Sequence, residues 1–292
     1  MPTNTKTNKK NKTTKNVVRI KKKPSMKEVG EEVRRLVVEM SERSRSGETG
    51  SSLSISDLLA TLYFKVMKVD PKKPDWSERD RFVLSKGHGA AAYYAVLALR
   101  GYFPVKKLLG HRMTGGDFHG HPSRGAAPGV EVSTGSLGHG LSIAAGIATA
   151  LKNTKSRVYV LIGDGECNEG SIWEAALYTG NAGLPNIVAI IDDNKFQGFS
   201  ATKETNRFDL GKQWAAFGWK VLRANGHDPR DIETKLKLAG TYKKPTVLIA
   251  DTVSGKGLPH IEHTLRAHYH VPTKDDVHHM SKAGRKTLKK KT

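Results

Sequence analysis

The chain has 292 residues, 37% of them hydrophobic, enough for one large α/β core or two small ones. It contains no apolar run long enough to cross a bilayer, and its start lacks the apolar core of a signal peptide, which leaves a cytoplasmic protein without a membrane anchor as the expectation. The formal net charge of +21 resembles a nucleic-acid footprint, but it sits at the ends: ten Lys/Arg and no acid in residues 1–27, and seven Lys/Arg against Asp275 and Asp276 in residues 273–292. Both ends read as flexible basic tails, 1–25 and 274–292, offering RNA or an acidic surface weak, non-specific contact at most. A single domain is expected over residues 26–273. The lone cysteine, Cys167, excludes an internal disulfide and fits a reducing compartment.

In chain order, Val29, Val33, Leu36, Val37 and Met40 recur at helical spacing and predict a helix from Met26 to Ser41. Residues 44–52 read as a Gly/Ser loop, and Ser54 or Ser56 caps a second helix carrying Leu58, Leu59, Leu62 and Tyr63. A short strand is predicted over 81–84 and an Ala/Tyr-rich helix over 89–99. Residues 101–137 are loop-rich, with repeated Gly and His, and so long an irregular stretch in a compact domain is usually functional. A small-residue helix over 141–151 follows. Then come strands at 158–162, 187–191, 219–223 and 245–250, alternating with helices at 170–182, 210–217 and 229–238. This alternation predicts an α/β fold: a parallel central sheet with helices on both faces.

One pair of segments carries the chemistry. Gly163-Asp164-Gly165-Glu166 directly follows the apolar run 158–162, and Asp192-Asp193-Asn194-Lys195-Phe196 directly follows the run 187–191. The helix between them makes a strand–helix–strand crossover, so the strands should be parallel neighbours. The Asp164 carboxylate and the Asn194 amide oxygen then meet at the C-terminal edge of the sheet, where open α/β folds bind ligands. Two hard oxygen ligands beside glycines suit a Mg²⁺ or Ca²⁺ ion holding a diphosphate.

The same residues resemble the thiamine diphosphate (ThDP) motif, GDG followed about thirty residues later by Asn. Residues 163–177, GDGECNEGSIWEAAL, resemble the GDG-x-x-x-EG-x-x-WEA run of the transketolase family. The segment from Arg79 to His88 is similar to that family's DRFVLSKGH, Gly120-His121-Pro122 to its GHP loop, residues 133–140 to its TG-[SP]-LG-x-G, and Gly255-Lys256-Gly257 to its GKG turn. Together these cover most of residues 27–270, and they do not reach the family's other half. Single-chain members are more than twice this length. The resemblance therefore implies the N-terminal subunit of a split transketolase, active in ketol transfer between sugar phosphates only with a C-terminal partner, in an α₂β₂ assembly that also self-associates through this core. It implies metal ligation by Asp164, Asn194 and the Phe196 carbonyl. Gly165 approaches the diphosphate, His88 lies beside it or beside the thiazolium, and Gly135, Ser136 and Leu137 run along the aminopyrimidine. His121 faces the substrate, and Glu169 meets the partner's catalytic carboxylate at the subunit interface.

Each of these residues also has a structural reading: His88 as a helix cap, His121 as a turn residue, Glu169 as a first-turn acid favoured by the helix dipole, Gly135 and Gly138 as turn glycines. Cys167 is either a solvent-reactive thiol or a small residue filling the loop. Of Asp192 and Asp193, one faces solvent and neither needs to touch metal. Six late histidines, His260, His263, His268, His270, His278 and His279, are of zinc-ligand type, but their spacing matches no closed site. The family keeps a substrate-facing histidine in this region, and His263 and His268 are the candidates. One departure stands out: most transketolases read SGHxG where this chain has Ser46-Gly47-Glu48-Thr49-Gly50, so Glu48 occupies the place of a sugar-contacting histidine and could accept a hydroxyl proton. His139 is a smaller departure, where many relatives carry Gln. Three alternatives follow: a specialised transketolase or deoxyxylulose-phosphate-type synthase acting on an unusual sugar, a non-catalytic nucleic-acid-binding module, and a dinucleotide oxidoreductase. The last lacks a G-x-G-x-x-G at the right place.

Overall fold

Five strands, β1 (Arg81–Leu84), β2 (Val158–Gly163), β3 (Ile187–Asp193), β4 (Lys220–Asn225) and β5 (Thr246–Asp251), form one sheet in the order β1-β2-β3-β5-β4, and every pairing is parallel. The computed structural model describes residues 24–289, so the basic N-terminal segment lies outside the described residues apart from Pro24 and Ser25. The helices are α1 (Met26–Ser44), α2 (Thr49–Ser54), α3 (Ser56–Thr61), α4 (Ala90–Arg100), α5 (His139–Ala150), α6 (Gly170–Asn181), α7 (Thr202–Thr205), α8 (Leu210–Ala216), α9 (Pro229–Ala239), α10 (Arg266–Tyr269) and α11 (Lys274–Lys289). Among the described residues no helix is long and apolar enough to cross a membrane.

The strands are apolar on both faces because both faces are covered. Phe82, Leu84, Tyr159, Leu161, Val188, Ile190 and Leu248 pack one side with residues of α1, α3, α4 and α9. Val83, Val160, Ile162, Ala189, Ile191, Val247 and Ile249, one residue out of phase, pack the other with α5, α6 and the buried Trp214 and Trp219. This is the period-2 geometry of a strand, applied to a sheet with no solvated face. The first helix starts at a capping box: the Glu28 N–H donates to Ser25 Oγ at 3.3 Å, and the Ser25 N–H donates to the Glu28 carboxylate at 2.7 Å.

Two segments depart from the sequence reading. The Gly/Ser loop expected over 44–52 stops at Glu48, and its end winds into α2, all of whose residues are buried. Residues 274–289 form α11, packed along α1, in place of the flexible tail that the composition predicts. The lysines of this segment mask a short apolar stripe, Val277 and Met280, three residues apart on one helix face and packed on the core. Asp276 and His270 are buried there, with His270 Nε2 and Asp276 Oδ2 at 2.9 Å and His260 Nε2 at 3.4 Å from Asp276 Oδ1. Three ligand-type residues that look unrelated along the chain thus form one cluster, with all ligand atoms within 4.8 Å of one another. In this state it is a hydrogen-bonded clasp at the start of α11.

Candidate active site

The register of the sheet brings the two halves of the motif together. Gly163 pairs with Asp192, so Asp164 and Asn194 leave adjacent strand ends at the same edge. Both line a single cavity of about 520 Å³, together with Lys86, His88, Leu137, Gly165, Glu169, Phe196 and His268. Asp164 is bound by the Gly165 N–H (2.9 Å), the Lys195 N–H (2.8 Å) and the Thr202 hydroxyl (2.8 Å). Asn194 donates Nδ2 to Asp192 Oδ2 at 2.9 Å, which fixes the amide so that Oδ1 is the atom left to accept; the Phe196 N–H already donates to it at 3.0 Å. An amide oxygen has room for a second partner. Lys195, between the two, takes a left-handed turn (φ 72°) that wraps this loop around the cavity edge.

The donor set fits a hard divalent cation. Asp164 is 1% exposed and has no cationic side chain beside it among the described residues. Burial pushes its carboxyl up to about 7; the Thr202 hydroxyl opposes this, and the nearby Asp192 and Asp193 carboxylates add to it. A buried carboxylate with no counter-charge, beside an amide oxygen and an open cavity, is what an oxygen-liganded ion satisfies. Asp192 is the contrasting case. It is fully buried but ion-paired to Lys86 Nζ at 2.5 Å, and the expectation that one of the two aspartates faces solvent falls to Asp193, whose side chain is 15% exposed.

His88 borders the cavity as a neutral imidazole. Burial holds its pKa well below the ordinary value, and the positive Lys86, with His268, His121 and Arg112, adds to that effect. Its ring lies 5.8 Å from that of His268, which also lines the cavity; His263, the other late candidate, is exposed and lines no part of it. Glu169 stands exposed on the cavity rim. His121, Gly135 and Ser136 lie beside the cavity rather than on its wall. A Cβ on Gly135 (φ 145°) would come within 3.1 Å of the His121 ring, and one on Gly87 within 3.0 Å of it. Ser136 Oγ contacts His139 Nδ1 at 3.2 Å. Glu48 is not the free acceptor that its position suggests: its carboxylate is ion-paired with Arg112.

Three residues that the motif reading leaves without a role are central. Lys86 neutralises Asp192. Glu166, 3% exposed, accepts the N–H of Gly138 at 2.9 Å and of Gly163 at 3.1 Å, and the Ser85 hydroxyl also donates to it, so it ties the 133–140 loop to the strand end. Arg112 holds Glu48. Glu166, an acid placed inside the Gly-rich turn, and Lys86, within the segment from Arg79 to His88, each have a signal in the sequence, and Arg112 has none. Cys167 is wholly buried, and burial raises its thiol well above the ordinary range, so it fills the loop and is not a reactive thiol.

The family model "Transketolase, thiamine diphosphate binding domain" matches residues 25–287. The chain is 41% identical over 240 residues to the 6-deoxy-6-sulfo-D-fructose transketolase subunit SqwG of Clostridium sp. (strain MSTE9), covering 81% of this chain and 87% of that one. It is 43% identical over 249 residues to an apulose-4-phosphate transketolase subunit of Phocaeicola vulgatus, covering 83% and 88%. Among solved structures, transketolase from Leishmania mexicana superposes with a TM-score of 0.87 at 30% identity over 90% of this chain, which spans only 42% of that longer one. The chain therefore belongs to the transketolase family and corresponds to its N-terminal, thiamine-diphosphate-binding part.

Proposed function

We propose that this chain is the diphosphate- and metal-holding subunit of a split transketolase, transferring a two-carbon ketol unit from a ketose to an aldose once a C-terminal subunit completes the site in an α₂β₂ assembly. The observation that carries the reading is the convergence of Asp164, uncompensated and buried, and Asn194, its amide orientation fixed, on one cavity with His88 and His268. Two relatives of matching length are themselves named as subunits, which supports a second polypeptide.

In this reading Asp164 and Asn194 hold Mg²⁺ (or Ca²⁺) by side-chain oxygens, with the Phe196 carbonyl as a third ligand. Gly165 lets the backbone meet the diphosphate; a side chain there would also strike Gln197, since its Cβ would fall 2.7 Å from Gln197 Cβ. Gly135, Ser136 and Leu137 present backbone to the aminopyrimidine. The bound cofactor supplies the carbon nucleophile. His88 and His268, kept neutral, orient the sugar hydroxyls, and His121 meets the substrate from the opposite loop. Glu169, on the rim, is placed to contact the partner. The carboxylate that activates the cofactor's pyrimidine, and the residues that grip the sugar phosphate, belong to the partner half. The reaction fits a cytoplasmic enzyme.

A more specialised sugar is favoured over the ordinary pentose-phosphate pair. Glu48 stands where most members carry histidine, and the two relatives above are named for 6-deoxy-6-sulfo-D-fructose and for apulose-4-phosphate. A nucleic-acid-binding role has no comparable support: residues 274–289, read from composition as a basic tail, form α11 packed along α1.

The test is reconstitution. The chain mixed with its partner should catalyse ketol transfer across a panel of ketose donors, and the chain alone should show little or none. Robust turnover without the second polypeptide would refute the split site. In the same complex, Asp164→Ala should weaken Mg²⁺-dependent ThDP binding by at least about 100-fold, beyond the 10–100-fold typical of losing an outer-shell partner. Unchanged cofactor affinity would remove the metal assignment.

A further inference from the structure

Two charged residues beside the cavity hold a backbone conformation that side chains rarely adopt. Glu48 (φ 62°) and Arg112 (φ 54°) are two of the five non-glycine residues with positive φ among the described residues. Such a conformation is strained for any residue with a side chain. It persists where the surroundings enforce it, and functional sites are where such strain collects. Their side chains are joined: Arg112 Nη2 donates to Glu48 Oε2.

Each partner is anchored to a different segment beside the cavity. The Glu48 N–H donates to the His268 carbonyl at 2.9 Å. Gly47 and Gly50 press so closely on α10 that a Cβ would lie 2.9 Å from the Tyr269 carbonyl and 2.5 Å from that of Ala267. Across from them, the Arg112 N–H donates to the Phe118 carbonyl at 2.8 Å. Its guanidinium covers Gly120, where a Cβ would come within 2.7 Å of Nε, and Gly120 is followed directly by His121. One ion pair thus bridges the segment that carries His268 and the loop that carries His121. It remains accessible, the Arg112 side chain 25% and the Glu48 side chain 32% exposed. Its field also reaches the cavity: Arg112 helps lower the pKa of His88, and Glu48 works against the lowering of that of His268.

Pairing changes what Glu48 can do. A carboxylate held by a guanidinium is already engaged as a hydrogen-bond acceptor and is fixed in place by it. The pair as a whole offers one fixed acceptor beside fixed donors; the contacts of Arg112 use only Nη2 of its three nitrogens. Neighbouring hydroxyls of a polyol match that pattern, one donating to the carboxylate and the next accepting from the guanidinium.

We propose that Glu48 and Arg112, bridging the segments that carry His268 and His121, form a specificity-determining pair beside the cavity, selecting ketose donors by adjacent hydroxyls. This rests on the ketol-transfer reading above. A site built to hydrogen-bond hydroxyls discriminates strongly against analogues that lack them, because its own polar groups are then left unpaired.

The experiment uses the reconstituted complex and compares kcat/KM for a ketose donor and for its monodeoxy analogues. The wild type should prefer the fully hydroxylated donor by about 100-fold or more. In E48Q and R112M that preference should fall by about 10-fold or more, mainly through KM, with ThDP half-saturation unchanged. The reversed pair, E48R/R112E, separates reading from bracing. If the pair only ties the two loops together, the reversal restores the wild-type donor ratios, and the proposal is overturned. If the pair reads the sugar, the double variant folds and binds ThDP but its donor ratios stay altered. An active wild type whose variants keep their donor ratios within about twofold would sink the pair alone. A wild-type complex with no ketol transfer on any donor would sink the functional reading and this inference with it.

Discussion

Replacing Lys86 by methionine removes the counter-charge of a fully buried carboxylate. The two side chains are 1% and 0% exposed, with Nζ 2.5 Å from Asp192 Oδ2. Burial alone would raise the Asp192 carboxyl, but Lys86 and the surrounding hydroxyls outweigh it and hold the group below the usual carboxylate range. In Lys86→Met the Ser54 hydroxyl (2.7 Å), the Thr252 hydroxyl and Asn194 Nδ2 (2.9 Å) still donate to Asp192, so the anion keeps hydrogen bonds and loses charge balance. Breaking one side of a buried pair costs about 3–5 kcal/mol, and the surviving donors place this case near 3. That is a large share of a domain stability of about 5–15 kcal/mol. Urea unfolding followed by tryptophan fluorescence reads it directly, because Trp214 and Trp219 are buried in the core. The double variant Lys86→Met/Asp192→Asn should recover most of the loss, since no charge is then buried. It should still bind metal–ThDP about 10–100-fold more weakly, because the acceptor that orients the Asn194 amide has changed. A loss under about 1 kcal/mol in the single variant, or a double variant no more stable than the sum of the two single changes, would refute the account of this pair.

Two further outcomes follow from buried groups. Cys167 in the native chain should react with a thiol reagent at least about 10³-fold more slowly than after unfolding in guanidinium, because thiolate formation there is opposed by burial; stoichiometric labelling of the folded protein within minutes would contradict its place in the core. His111, 3% exposed and with Nδ1 unpartnered, has its pKa pushed down to about 4 by burial and then by Arg112, so the unfolded chain takes up a proton at a higher pH than the folded one. Stability should therefore fall as pH drops from about 6.5 towards 4, by up to about 1.4 kcal/mol per pH unit from this residue; His111→Leu should remove that part of the slope, and parallel wild-type and variant curves between pH 6.5 and 5 would rule it out.

How much of this was legible depends on where each signal lies. The strands could be read because both faces of a covered parallel sheet are apolar, so runs such as 158–162 have no competing pattern. Helices α2, α7 and α10 are four to six residues long and carry no periodicity that a window could detect. The end of the chain misleads because seven basic residues outweigh Val277 and Met280 in any composition argument, whereas packing needs only the stripe. In the site, residues joined by short spacings were legible: Asp164, Gly165, Asn194 and Phe196. Pairings across the fold were not. Lys86 and Asp192 are 106 residues apart, and Glu48 and Arg112 are 64 apart, and a single sequence contains no pattern that links them.

The division of labour between Asp164 and Asp192 shows why geometry, and not residue type, decides function here. Both are acids at the C-terminal edge of neighbouring strands, and both are buried. Lys86 lies beside one and no cation lies beside the other among the described residues. With its charge balanced and four donors converging on it, Asp192 is a fixed post that orients Asn194. Asp164 receives only neutral donors, the Gly165 and Lys195 N–H groups and the Thr202 hydroxyl, which only partly oppose the upward push of burial on its carboxyl. A divalent ion on that carboxylate would displace the proton and supply the missing charge in one step, so ion binding and deprotonation are linked. The fold thus keeps one acid neutralised from within and leaves the second uncompensated, and under the proposed function that second acid is the one whose charge a divalent ion would balance.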